Sequence, residues 1–263
     1  MSFRLLFPGK PIIGMIHLPA LPGSPLSRDT VDDLVEYALS ELMLLEKAGV
    51  DAVIVENAGD SPFLKGSLPA YVVATATRIV REVVAHARVK VGVNMLRNAC
   101  VEALSVAHVT GAHMIRCNIM VGAYATDQGI IEGCAADLLR IKRLLGASTV
   151  VLGDVHVKHA HPIYAVPIQY AAQDLAERGG ADAIIVSGAR SPVPPSVLDI
   201  GEVRKSVNKP VLVGSGVTLL NAKELFEASD GLIVGETDFK QGAVWGGRSN
   251  AEAYASVVKK CKS

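Results

Sequence analysis

Apolar residues fall in short runs spaced along the whole chain, and each run is followed by a longer stretch with helical periodicity. The runs are Pro11–His17 (PIIGMIH), Ala52–Asn57 (AVIVEN), Val89–Met95 (VKVGVNM) and His113–Asn118 (HMIRCN). Then come Thr149–Asp154 (TVVLGD), Ala183–Ser187 (AIIVS), Pro210–Val213 (PVLV) and Gly231–Gly235 (GLIVG). Short, β-branched and nearly continuous, they predict strands buried on both faces, as in a parallel sheet. Between them, Thr30–Ala48 carries Val31, Leu34, Val35, Ala38, Leu42 and Leu45 on one helical stripe. Gly49, Gly111 and the pair Gly179-Gly180 stand where helices should stop, because glycine accepts the left-handed conformation past a last turn. A strand–helix unit repeated eight times at about thirty residues predicts an α/β fold with right-handed crossovers. Eight such units in 263 residues close naturally into a (β/α)8 TIM barrel. A doubly wound open sheet is the alternative. No linker or low-complexity segment interrupts the repeat, so residues 1–263 read as one domain.

Polar residues gather where these runs end, and in a barrel that end is the site. The first strand ends in His17, the second in Glu56-Asn57 with Asp60 beyond, and the third in Asn94 followed by Arg97-Asn98. The fourth supplies Arg116 and Asn118, the fifth Asp154, His156 and Lys158, and the sixth Ser187. Arg116 and Asn118 share a face by the period of two, as do Asp154 and His156 if the strand extends that far. A charge buried in a barrel mouth needs a partner, and Glu56 or Asp154 is the natural one for Arg116. Such pairs can also simply close the barrel top. Asp154 can orient His156 as a general acid/base, and Lys158 can neutralise an oxyanion or form a Schiff base. His86, His108 and His113 read as helix or strand-start residues without a special role.

Two loops add an expected anion site. Gly214-Ser215-Gly216 follows the seventh strand, and Gly235-Glu236-Thr237 the eighth, where barrels commonly seat phosphate on backbone N–H groups. The charge of Glu236 argues against phosphate there, and Lys240 can offset it. Tight turns without a ligand are the plainer reading of the same glycines. After the fourth strand, Gly122–Gly133 (GAYATDQGIIEG) is long enough for a lid, with Thr126, Asp127 and Gln128 able to reach over the mouth. A proline-stiffened loop, Ala189–Ser196, lies on the same rim.

Composition narrows the partners. Half the residues are hydrophobic and 20% are charged, with 26 Lys+Arg against 26 Asp+Glu. That balance gives no electrostatic reason to expect nucleic acid or an anionic membrane as partner. No apolar stretch approaches the roughly 18–20 residues of a membrane span, and the N-terminal apolar triplet is too short for a signal sequence. Cys100, Cys117, Cys134 and Cys261 form no C-x-x-C pair and read as isolated thiols of a reducing compartment. The expectation is a cytoplasmic protein with a small-molecule ligand, phosphorylated or not, and homo-oligomerisation is left open. No cofactor is predicted. A divalent metal near His156 is conceivable, since Asp154, His156, His159 and His161 are ligand types, but their spacing matches no standard signature.

Seven segments resemble the BtpA/SgcQ family of TIM-barrel proteins: PIIGMIHLPALPGSP, DAVIVENAGDSPF, GVNMLRNA, IRCNIMVGAYATDQGIIEG, GDVHVKHAHP, VLVGSGVT and GLIVGETDFKQG. Together they span residues 11 to about 242, nearly the whole chain. The resemblance implies a TIM-like barrel and brings a family label of photosystem I biogenesis, with other relatives associated with carbohydrate gene clusters. It assigns no catalytic residues. Against the family pattern, Ala99 replaces an acidic residue after the Arg-Asn pair, Ser191-Pro192 replaces Thr-Gly, and Glu236 appears as an insertion beside the expected anion site. Three functions follow as expectations. The first is an enzyme of lyase, isomerase or epimerase type acting on a small phosphorylated or sugar-like metabolite. The second is a non-enzymatic assembly or stability factor, and the third a metal-dependent hydrolase.

Overall fold

Alternate side chains of a strand point to opposite faces, so a closed parallel barrel must hold one parity inside and pack the other against helices. The computed structural model describes residues 1–188, 193–241 and 247–263, and in it this is the arrangement. Its strands are β1 (Ile12–His17), β2 (Ala52–Glu56), β3 (Lys90–Asn94), β4 (Met114–Cys117), β5 (Val150–Val155), β6 (Ala183–Val186), β7 (Val211–Val213) and β8 (Leu232–Val234). All pair in parallel, neighbour to neighbour, and β8 returns to β1. Every strand lies on one of the eight apolar runs. The helices are α1 (Val31–Ala48), α2 (Ala70–His86), α3 (Cys100–Thr110), α4 (Ala135–Leu144), α5 (Ile168–Gln173), α6 (Val197–Ser206), α7 (Ala222–Ala228) and α8 (Ala251–Lys262).

The inward parity holds Ile13, Met15, Ile54, Met114, Leu152, Ile185, Leu212 and Ile233. Phe3, Leu6 and Phe7, from a one-turn helix before β1, join the same cluster. The outward parity, including Ile12, Ile16, Val53, Val55, Ile115 and Val151, packs against the helices. α1 ends at Gly49 (φ 86°) and α3 at Gly111 (φ 83°), both left-handed as the sequence requires. α5 differs: it widens into a π-helical turn, Asp174–Arg178, and the left-handed residue is Gly180 (φ 68°) rather than Gly179. Among the described residues no helix is long and apolar enough to cross a membrane.

The α1 stripe contains one residue that hydropathy hides. Glu41 is fully buried, 3.2 Å from the equally buried Lys240, and accepts hydrogen bonds from the Ser249 N–H and hydroxyl. Burial draws the Lys240 ammonium down, and the Glu41 carboxylate beside it works the other way. Lys240 therefore binds α1 to the segment after β8. It does not reach Glu236, as the sequence reading allowed.

The long loop after β4 folds as a hairpin, Ala123–Thr126 with Gly129–Glu132, to which Ala160–Pro162 adds a third antiparallel strand. Ile119, Tyr124, Ile131, Val157 and Ala160 give this roof its own small core. On the opposite side, the Tyr254 hydroxyl of α8 donates to the Val234 carbonyl at 2.7 Å, fully buried. Tyr254→Phe leaves that acceptor unpaired. The expected loss is about 1–2 kcal/mol, read as a lower denaturant midpoint at unchanged slope.

Candidate active site

The register lines up four polar side chains. His17 pairs across to Glu56, Glu56 to Asn94, and Asn94 to Arg116, so β1 to β4 place them side by side on the inward parity above the apolar core. All four are buried. Glu56 accepts a short hydrogen bond from the Asn94 amide and lies 3.6 Å from the His17 imidazole. Burial pushes the Glu56 carboxyl up, more than Arg116, Lys158 and the Asn94 amide pull it down. A buried carboxyl set between an imidazole and an amide donor is placed to exchange a proton with a ligand in the mouth.

Arg116 grips Asp154 in a fork, Nε to Oδ2 at 3.0 Å and Nη2 to Oδ1 at 2.9 Å. Asn118 adds a bond to Oδ2 at 3.0 Å and the Ser187 hydroxyl one to Oδ1 at 3.2 Å. Burial works against the Arg116 charge, but Asp154, Glu56 and Glu236 together outweigh it and raise the guanidinium further. Asp154 thus serves Arg116, with both oxygens taken.

The expected partnership of Asp154 with His156 is not made. β5 ends at Val155, and His156 takes a left-handed backbone (φ 47°), which sends its side chain out of the strand's alternation. Burial lowers its imidazole, and the charge that opposes this is Asp199 on α6. Lys158 instead turns into the cleft and forms an ion pair with Glu236, while its carbonyl accepts Arg97 Nη2 at 2.7 Å. Burial draws the Arg97 guanidinium down, and Asp154 and Asp127 pull it up.

In the loops expected to seat an anion, Glu236 bonds to both the backbone and Lys158. Its second carboxylate oxygen accepts the Gly216 N–H at 3.3 Å, and the first meets Lys158. The Ser215 hydroxyl accepts the Gly188 N–H at 3.1 Å and so ties Gly188 to the segment after β7. Packing also requires glycine at these positions. A Cβ on Gly214 would sit 2.2 Å from Ile185, and one on Gly235 2.6 Å from Met15. Gly216 has φ 68°, and a Cβ there would lie 2.3 Å from Pro194. Thr237 opens a short 3-10 turn, Thr237–Phe239; its side chain, like Ser191-Pro192, lies outside the described residues. Asp127, exposed, and Gln128, half-buried, form the tip of the roof hairpin, where Asp127 acts on Arg97 and His159.

One cleft collects His17, Glu56, Arg97, Arg116, Asn118, Lys158, Ser215 and Glu236. Asn94, Asp154 and Ser187 lie beneath and hold these groups in place. Phe63, Leu96, Val217 and His159 also line it and were not among the candidates, apart from His159 as a metal ligand. Phe63 comes from the loop after β2. Asp60 pins that loop by accepting Leu21 N and Asn57 Nδ2.

Metal-ligand types assemble elsewhere than the sequence indicated. Among the described residues, no group of three or more forms around His156, and the one such group is Cys100, Cys117 and Cys134. Hydrogen bonds from Cys100 and Cys117 bring the Cys134 thiol down to about 5, and burial pushes the other two well up. These three are a cluster, not isolated thiols.

Comparison with known proteins agrees with the fold. The sequence profile of the BtpA family matches residues 8–261. A protein of Pyrococcus furiosus is 44% identical over 87% of this chain and 86% of its own length. The photosystem I biogenesis protein BtpA of Synechocystis is 39% identical over 89% of this chain and 82% of its own. The solved structure of thiamine phosphate pyrophosphorylase from Pyrococcus furiosus superposes with a TM-score of 0.58, over 96% of this chain and 95% of that one, at 14% identity. At that identity the likeness is one of fold, a TIM barrel.

Proposed function

The chain belongs to the BtpA family, and we propose that its barrel mouth is the active site of an enzyme that moves a proton on a small sugar-like metabolite. The observation that carries this is the buried Glu56 carboxyl, raised by burial and set beside His17 in a cleft that also holds Arg97, Arg116 and Lys158. Isomerase, epimerase and lyase reactions share a first step that suits this set. The Glu56 carboxylate takes a proton from carbon next to a carbonyl, and the electron pair moves onto the carbonyl oxygen. Arg116 or Lys158 stabilises the resulting oxyanion. The proton then returns from Glu56 or His17 to the same or the adjacent carbon, or a leaving group departs.

Glu236 selects the substrate class. Its carboxylate occupies the Gly216 amide that would otherwise receive phosphate, and it accepts hydroxyl hydrogens well. A polyhydroxylated ligand therefore fits better at this end than a phosphate ester.

Thermal shifts with paired sugars and sugar phosphates test this reading. A ligand at about 100 times its Kd adds about 2.7 kcal/mol to stability. An unphosphorylated sugar-like compound should raise the midpoint, and Glu236→Gln should shrink that rise. Stabilisation by phosphate esters alone, stronger in Glu236→Gln, would overturn the sugar-like assignment and return the phosphate one.

The assembly-factor reading rests on the name of the Synechocystis relative. The Pyrococcus furiosus relative, of comparable identity, does not carry that name, so membership of the family does not by itself bring the role to this chain. The metal-hydrolase reading draws no support from His156, which has left the side of Asp154.

A further inference from the structure

A thiol is small and nearly apolar when protonated, and a soft anionic ligand when it is not. Three of the four cysteines meet outside the barrel mouth although they are far apart in sequence. Cys117 is the last residue of β4, and its parity, opposite to that of Arg116, turns it toward the helices. Cys100 opens α3, and Cys134 is the residue before α4. Their sulfurs all lie within 4.8 Å of one another. In tetrahedral zinc–thiolate sites the Zn–S bond is about 2.3 Å, which puts the sulfurs about 3.8 Å apart. Sulfurs within 4.8 Å of one another lie close to that spacing.

We propose that Cys100, Cys117 and Cys134 bind one zinc ion, which ties the end of β4 to the starts of α3 and α4. A sulfur-only donor set selects a soft cation over calcium or magnesium. Zinc also asks for no redox change and accepts three protein ligands with an open fourth position. α3 and α4, of 11 and 10 residues, both begin at the cluster, so the positive ends of two helix dipoles offset the thiolate charge. An entry path exists: Cys134 is partly exposed, and with Cys100 it lines a groove that carries Asn98, Glu132 and Asp137. Water fills the fourth position from that side. A disulfide would use two sulfurs and strand the third, whereas a metal uses all three. The zinc site lies outside the mouth, so its presence or absence leaves the acid–base proposal untouched.

Cobalt(II) titration of the reduced, chelator-treated full chain reads this directly. One equivalent should saturate a thiolate-to-cobalt charge-transfer absorption in the near ultraviolet, and one equivalent of zinc should abolish it and raise the thermal midpoint. Cys134→Ser, at the least buried of the three positions, should weaken cobalt binding by more than about 10-fold and cancel the zinc-dependent rise. Cys261→Ser should keep both signals. Circular dichroism confirms that each variant is folded. A folded wild-type protein that binds no cobalt, or binds it without thiolate absorption, overturns the proposal. So does an absorption that survives in Cys134→Ser, or a thiol count showing a disulfide that forms in preference to the zinc complex.

Discussion

Glu56→Gln is expected to lower turnover about 10²–10⁴-fold, the usual range for losing a positioned acid/base, without lowering stability at neutral pH. The two halves of that expectation share one cause. Glu56 is buried, its carboxyl is raised above the ordinary value of 4.5, and the amide of glutamine can still accept the Asn94 hydrogen bond. Because the folded state holds the proton more tightly than the unfolded chain, the stability this gives is fully present below pH 4.5. It is lost as the pH rises through the folded pKa. The wild type should therefore lose stability with rising pH across that window, and Glu56→Gln should flatten the loss. Denaturant midpoints measured at several pH values check the stability half. Turnover of whichever ligand stabilises the wild type checks the other, and Glu56→Asp should recover part of it. A variant that turns over normally would remove Glu56 from the chemistry.

Arg116→Met should destabilise the protein by about 3–5 kcal/mol, the cost of leaving one member of a buried ion pair without the other. Asp154 would keep only Asn118 and Ser187 as partners, at 3.0 and 3.2 Å, for a side chain that is fully buried. The double variant Arg116→Met/Asp154→Leu should regain much of the loss, since both charges are then gone. Urea denaturation of the two single variants and the double one gives the coupling energy. Additive losses would mean that the fork contributes little beyond packing.

The eight strands were legible because a buried parallel strand has a strong signature and each occurs once per unit. The polar strand ends were legible for the same reason: Glu56, Asn94, Arg116 and Asp154 interrupt apolar runs where a barrel core would not tolerate them. Pairing was harder to read. The fork from Arg116 to Asp154 was one of two options, and only the register between β4 and β5 decides it. His156 misled because period-two reasoning holds only while the backbone stays extended, and the chain turns left-handed there. The glycines after β7 and β8 line the same cleft, and their close packing against Ile185, Met15 and Pro194 is a second requirement that no local pattern shows. Glu41 and the three cysteines are long-range meetings that no local pattern encodes. The only trace of the cysteines in sequence is that each stands at a strand end or helix start.

His17, Glu56, Asn94 and Arg116 are successive partners across four strands, one from each of the first four units. They can therefore be read as a four-letter word, independent of loop lengths and insertions elsewhere. Relatives that spell the same word should share a reaction, and those that change a letter should have moved to another one on the same scaffold. Sorting the family by these four positions would group it by chemistry rather than by overall identity.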